Sequence, residues 1–443
     1  MTNNRLHIYT PQLTPRVQYV FDAVFGQMLS LDVVYETDLS IFETITEAKL
    51  YYSNTKPNNA SLWIKSHSLL FENDIQPQPY QIVHWNGIKS IALGAHDALE
   101  SFCPFDPMAT IFFLLSRYEE YICKEKDAHG RFSAHSSILY KEDLLLQPLV
   151  NQLVAAIYKV IHSTYPHIVH KQANFKIIPT FDIDMAFAYQ EKGWKRGLGG
   201  FAKDVFKFEW QRIKDRFFSV LRLQKDPYDV FDYLEKKIEN HDARFFFLMA
   251  DHAPFDSNID VKNKRFQAII KKISEKNKVG IHPSYQSNSS ISILEKEKNR
   301  LQCLVNEQVI RSRQHFLKLD LPSTYRNLIA QGVTEDWTLG FAEAIGWRAA
   351  MASPFYWFDL ERNEQTPLLL YPTAAMDVTL KQYLKLNPNE AIALLSTLIN
   401  NCKATNGQFI FIWHNSSFYT QEGWQDWNLV FEFLMSHKFI AST

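Results

Sequence analysis

The stretch Phe175-Lys-Ile-Ile-Pro-Thr-Phe-Asp-Ile-Asp184 decides how the rest of the chain is read: a short run rich in β-branched and apolar residues stops at two carboxylates one residue apart. A strand alternates its side chains, so Asp182 and Asp184 leave its end on the same face. In a barrel of parallel strands the carboxyl ends form the mouth where catalytic groups collect. Two acids there suit a metal or acid/base chemistry, although D-x-D alone also serves as a strand-end cap. His282, His315 and His414 each lie in or just after a later short apolar run. Capping does not account for that recurrence.

On the carboxyl side of this strand the pattern is one of short apolar runs separated by helical stretches, the signature of βα repeats. Strands are expected at 175–182, 244–250, 278–282, 314–319, 346–351, 367–371 and 408–413, a number that suits a barrel. On the amino side, residues 1 to about 140 read as a mixed α/β unit. It has a strand at Leu6–Tyr9, a helix over Val17–Leu29 and strand-like runs at Leu50–Tyr52 and Ser90–Leu93. Asp106-Pro107 supplies an N-cap and a first-turn proline for a helix over 108–121, apolar nearly all round at first and so expected to be buried. A connecting helix at Leu149–His162 comes next. The expected architecture is α/β, a smaller α/β domain over 1–165 succeeded by a barrel over 170–443.

A chain of 443 residues is long enough for two domains, and its apolar content supports large cores. Lys plus Arg (47) and Asp plus Glu (48) nearly cancel, so no global field recruits nucleic acid or an anionic membrane. Cys103, Cys123, Cys303 and Cys402 are far apart with no C-x-x-C pair, and read as reduced, mostly buried thiols. The amino terminus lacks the apolar core of a signal peptide and no uncharged segment is long enough to span a bilayer; a cytoplasmic location is the expectation. Oligomeric state is not legible.

Between the first two strands lies a long aromatic and basic segment, Glu191 to Asp226. It could lie on a membrane surface or cover the barrel mouth, but the favoured expectation is a solvated helix whose aromatics pack on the barrel. Gly197, Gly199 and Gly200 do not match a phosphate-binding spacing. His129, in the loop Asp127–Arg131, reads as a solvated loop histidine.

The second strand ends in Asp251, and Asp256-Ser-Asn258 lies in the loop beyond it; these could bind sugar hydroxyls or simply cap the loop. Pro283 ends ladder bonding after the third strand and aims His282 at the mouth, a good position for a ligand of a divalent metal. A guanidinium beside paired carboxylates holds one of them ionised and oriented, so Arg313 and Arg348 are candidates for that role. Near the end, Gln408-Phe-Ile-Phe-Ile-Trp-His414 is an apolar strand terminating in histidine.

The order of these motifs resembles the polysaccharide deacetylase family of carbohydrate esterases, over roughly residues 170 to 430. The layout is similar to a bacterial subgroup with an amino-terminal domain of unknown role. The resemblance implies a distorted (β/α)7 barrel and a divalent metal, usually zinc. Thr180-Phe-Asp-Ile-Asp184 looks like the family's T-F-D-D motif, which would make Asp182 the catalytic base and Asp184 a metal ligand. His282-Pro-Ser-Tyr looks like the start of H-S/T-x-x-H, and His414 resembles the final-motif histidine, the general acid, with Asp377 orienting it. This sequence departs from the pattern in three places: Ile183 separates the two acids, Gln286 stands where a second histidine is expected, and the arginine-proline motif is not cleanly present. His315 is the expected replacement for the missing imidazole, with water or Tyr285 as alternatives and a core-packed His315 as the structural one.

The resemblance thus implies a zinc-dependent hydrolase that removes acetyl groups from N-acetylated sugars or polysaccharides; Trp337, Trp357 and Trp413 could stack on sugar faces, although core packing is the favoured fate of each. Two rivals stay open. One is a barrel that has lost catalysis and acts as a glycan-binding or scaffold module, which Gln286 favours. The other keeps the metal but hydrolyses a different amide or ester.

Overall fold

Strand β1 (Arg5–Tyr9) buries its three central residues, and β2 (Asp32–Glu36), β3 (Ala48–Ser53) and β4 (Trp63–Lys65) join it in a parallel sheet of order β2-β1-β3-β4. β5 (Gln81–Trp85) and β6 (Ile88–Ala92) form a hairpin whose two-residue connection is Asn86-Gly87, both at positive φ (52° and 78°). That dipeptide tolerates the left-handed backbone a tight hairpin turn requires. The computed structural model describes residues 4–58, 60–96, 101–170 and 173–437. Among the described residues no helix is long and apolar enough to cross a membrane.

The helix expected over 108–121 is two helices. Asp106 caps Pro107–Leu115 by accepting from the Met108 and Ala109 N–H groups, and every residue of that helix is buried. The chain then turns through left-handed Arg117 (φ 54°) into Tyr118–Ile122. The break lets the Arg117 guanidinium reach both Glu119 and Glu120. The connecting helix runs over Leu149–Thr164. Cys103 and Cys402 are buried, whereas Cys303 is exposed.

The second sheet holds nine strands: β7 (Lys176–Ile183), β8 (Arg244–Leu248), β9 (Lys278–His282), β10 (Arg311–Ser312), β11 (Glu335–Asp336), β12 (Phe355–Asp359), β13 (Glu364–Leu370), β14 (Ala375–Met376) and β15 (Gln408–His414). Their order is β12-β13-β11-β10-β9-β8-β7-β15-β14, and every pairing is parallel except β12 with β13. The architecture is therefore mixed α/β with parallel sheets. The hydrogen-bonded sheet has β12 and β14 at its edges, so closure into a barrel is not shown. β7 is buried along both faces, as a central parallel strand must be.

Two expected strands are corrected. Residues 314–319 are not a strand: pairing occurs earlier, at β10, and His315–Leu317 is a single 3-10 turn with Phe316 and Leu317 at positive φ. Residues 346–351 are not a strand either. Gly346 (φ 112°) lies so close to the Leu145 carbonyl that a Cβ there would fall 2.2 Å from its oxygen, and the Trp347 N–H donates to the same carbonyl. The run docks against the amino-terminal half instead of joining the sheet.

That docking is part of a wider junction. One hydrophobic core runs from Leu6, Ile8 and Phe21 through Phe112 to Tyr325, Trp357 and Leu370, so it is built from both halves of the chain. A second core lies around the large sheet, with Phe181, Phe247, Ile281, Phe411 and Trp413. Buried Arg348 grips buried Glu120 across the junction (Nε–Oε1 2.8 Å, Nη2–Oε2 2.5 Å), and the Val150 N–H donates to the Ala350 carbonyl. Arg348 is thus tied to Glu120, not to the paired carboxylates of β7. Burial raises the Glu120 pKa, but Arg348 and Arg117 outweigh it and hold the carboxyl down to about 2. Its contribution to stability is complete above the ordinary glutamate range and is lost as pH falls through about 2.

We propose domain boundaries near 165 and 170 on the change of pattern, with the two parts sharing this interface. A fragment spanning 165–443 leaves Arg348 buried without its partner and exposes half of a core. It is expected to aggregate under conditions where the full chain stays in solution, as size-exclusion chromatography of the two would show.

Candidate metal centre

The carboxyl ends of β7, β9 and β15 and the turn after β10 converge on one cleft of about 510 Å³, lined by Asp182, Asp184, His282, His315 and His414 among others. β7 delivers both acids. Buried Asp182 accepts from Arg313 (Nη1–Oδ1 2.9 Å). Asp184, just past the strand, faces three imidazoles: its oxygens lie 3.2 Å from His282 Nε2, 3.8 Å from His315 Nε2 and 3.9 Å from His414 Nε2.

Each imidazole is held through its other nitrogen. His282 Nδ1 lies 2.6 Å from the Arg313 carbonyl, which can only accept, so Nδ1 carries the proton and Nε2 presents a lone pair to the cleft. His315 Nδ1 meets Asp256 Oδ1 at 2.9 Å, and His414 Nδ1 meets Asp377 Oδ1 at 2.8 Å. The His414 N–H also donates to the other Asp377 oxygen, at 2.7 Å, which fixes carboxylate and ring together. Carboxylate or carbonyl partners of this kind orient metal-binding histidines and raise their basicity.

Asp184, His282 and His315 each offer a donor atom, all within 4.8 Å of one another. One Asp184 oxygen, Oδ1, is buried with no hydrogen-bond partner. A buried carboxylate oxygen without a donor is costly, and a cation between it and two imidazole nitrogens removes that cost. Two imidazole nitrogens and one carboxylate are a donor set that divalent ions accept. The residues therefore fit a divalent ion, although they do not fix which one.

The same charges shift the histidines. Burial lowers the His315 pKa, but Asp184 and then Asp256 raise it to about 9. For His414, burial again opposes, and Asp377, then Asp184 and Asp182, push it up to about 10. Asp184 is held well below the usual carboxylate range: burial would raise it, and the charge of His315 leads the groups that outweigh it. Fully buried Arg313 also donates to the Trp337 carbonyl and to Thr180 Oγ1, with its guanidinium 4.5 Å from the Phe246 ring centre.

Asp182, Asp184, His282, Arg313, His315, Asp377 and His414 thus meet in one constellation, whereas Arg348, the other arginine expected there, does not. Gln286 is exposed and does not line the cleft. The Tyr285 hydroxyl lies against His129 (3.4 Å) in a ring cluster with Phe255 and Phe316. Trp337, Trp357 and Trp413 are fully buried, packed on Tyr371, Tyr325 and Phe431, and Trp424 is the tryptophan that lines the cleft. Asp251 pairs with Lys296 and Arg300, and Asn258 bonds the Ala250 carbonyl.

Asp256 is the residue whose role the sequence conceals. It sits in an irregular loop, and only the fold shows its carboxylate on His315 and on the Tyr285 N–H. Arg131, from the amino-terminal half, also reaches the cleft, donating to the Phe316 carbonyl.

Residues 6–166 match the model of a family of unknown function, DUF7033, consistent with an amino-terminal domain of unknown role. No curated protein matches the chain. Among solved structures, a candidate polysaccharide deacetylase from Mycobacterium smegmatis is similar at 14% identity and a TM-score of 0.39, over 60% of this chain and 84% of that one.

Proposed function

We propose that the chain is a metal-dependent hydrolase, on a distorted (β/α)7 barrel scaffold, that removes acetyl groups from N-acetylated sugars or polysaccharides. The observation that carries this reading is the convergence of the Asp184, His282 and His315 donors beside an arginine-held Asp182 and a carboxylate-held His414. Zinc is the ion proposed, since two imidazoles and a carboxylate suit it. Bound there, the ion supplies a Lewis acid for a water and for the acetamido carbonyl.

The protein groups do the rest. Arg313 holds Asp182 in place, so that this carboxylate takes the proton of the attacking water. In this reading His414 is the general acid, its ring held by Asp377 at Nδ1 and its Nε2 facing the cleft to carry the proton it gives up. It passes the Nε2 proton to the departing amine. Asp377, fully buried, positions the ring and balances its charge. His315, entering from the turn after β10, provides the donor that Gln286 does not, which weighs against a scaffold that has lost its metal.

Acetate release from a panel of N-acetylated sugars tests the reaction, and parallel panels of other amides and esters test its class. Acetate from the sugars supports the reading; turnover confined to other amides or esters rejects the substrate and keeps the site. His414→Ala is expected to fold and to retain the metal, and to lose turnover by about 10²-fold or more on ordinary amides. The loss should shrink on substrates whose leaving group needs no proton. An equal loss on both would remove His414 from the role of general acid.

A further inference from the structure

The helices Gly193–Phe206 and Trp210–Val220 form a hairpin built the opposite way from a helix on a globular protein. Its inward side is ionic. Buried Asp204 accepts from Arg216 Nε (3.0 Å) and Nη2 (2.6 Å), and Arg212 lies 3.3 Å from the other Asp204 oxygen. The Arg216 guanidinium also covers the Tyr189 ring at 4.5 Å. Gly200 makes room for it, since a Cβ there would fall 2.7 Å from Nη2.

The outward side is apolar and aromatic. Phe206 is 85% exposed, Phe208 74% and Trp210 67%, and Leu198, Phe217, Leu221 and Leu223 are exposed beside them. This overturns the expectation that the aromatics pack on the barrel: the ionic face takes that place and turns the rings to solvent. The side chains of Trp194, Lys195 and Arg196 lie outside the described residues.

The charge around this surface is also unlike the rest of the chain. Residues 197–225 hold seven Lys or Arg against three Asp or Glu, in a protein of net charge −1. Lys203, Lys207 and Lys214 are exposed next to the aromatic residues. Large apolar side chains flanked by lysines fit the interface of an anionic bilayer, where rings enter the headgroup boundary and ammonium groups meet lipid phosphates and carboxylates. A second copy of the same surface would set these lysines against one another. Arg212, on the inward side, also reaches Glu422, which lines the cleft (Nη1–Oε1 3.1 Å), so the hairpin lies beside the site.

We propose that this hairpin docks the protein peripherally on an anionic lipid surface. Docking of this kind is independent of the hydrolytic reading and is tested by binding alone. The full-length chain is centrifuged with phosphatidylcholine vesicles and with phosphatidylcholine–phosphatidylserine vesicles. Sedimentation is expected only with the second kind, weakening as salt is added. The triple change Phe206→Ser, Phe208→Ser, Trp210→Ser is expected to weaken partitioning by about tenfold or more, with the melting temperature unchanged. Lys203→Glu, Lys207→Glu, Lys214→Glu should do the same, and keeps the test valid if the first variant fails to fold. Absence of sedimentation by the wild-type chain would overturn the proposal, as would binding that neither variant alters. A wild-type dimer in light scattering that the apolar variant dissociates, without vesicle binding, would assign the surface to a second copy and overturn it as well.

Discussion

His315→Ala is expected to weaken zinc binding by more than about a hundredfold in chelator competition, while the melting temperature under saturating zinc falls only modestly. Second partners of metal-binding histidines already govern about 10- to 100-fold in affinity, and this change removes a donor atom outright. His315 lies in a turn, not in a strand, and its Nδ1 is committed to Asp256, so its Nε2 has the cleft as its only outlet. A packing residue would behave in the opposite way. Unchanged affinity with lowered stability would return His315 to the core and shift weight to a scaffold without catalysis.

Asp182→Asn is expected to retain the metal and lose turnover by about 10²- to 10⁴-fold, the range a positioned general base supplies. The amide oxygen can still accept from Arg313, so the local geometry survives while the basic lone pair does not. Comparison of kcat and of bound metal between the two proteins separates the outcomes. Near wild-type turnover would leave Asp182 as a structural partner of Arg313. Loss of metal together with turnover would place it among the ligands.

β7, β9 and β15 are legible in the sequence because each is a largely apolar run with a titratable residue at or just past its end, so both the strand and the group at its end stand out. β10, β11 and β14 pair through only two residues each, too few to carry any periodicity. The run at 346–351 is apolar because it packs against the amino-terminal half, a burial that the alternation of residues cannot distinguish from that of a strand. Arg313 and Arg348 are equivalent candidates on paper. Only the fold sends one to Asp182 and the other to Glu120. The aromatic hairpin escapes a reading of the sequence because aromatic content alone does not say which face of a helix meets the protein; the Asp204–Arg216 pair does.

Hydrolysis by this chain, as proposed, depends on a divalent ion held by Asp184, His282 and His315. The measurement that bears on that dependence most directly is acetate release from an N-acetylated sugar by the purified full-length chain, monitored through removal of metal by a chelator and its restoration with zinc. Turnover that disappears with the metal and returns with zinc is the expected result. Turnover that is indifferent to the chelator, in protein shown by elemental analysis to be free of metal, would contradict it.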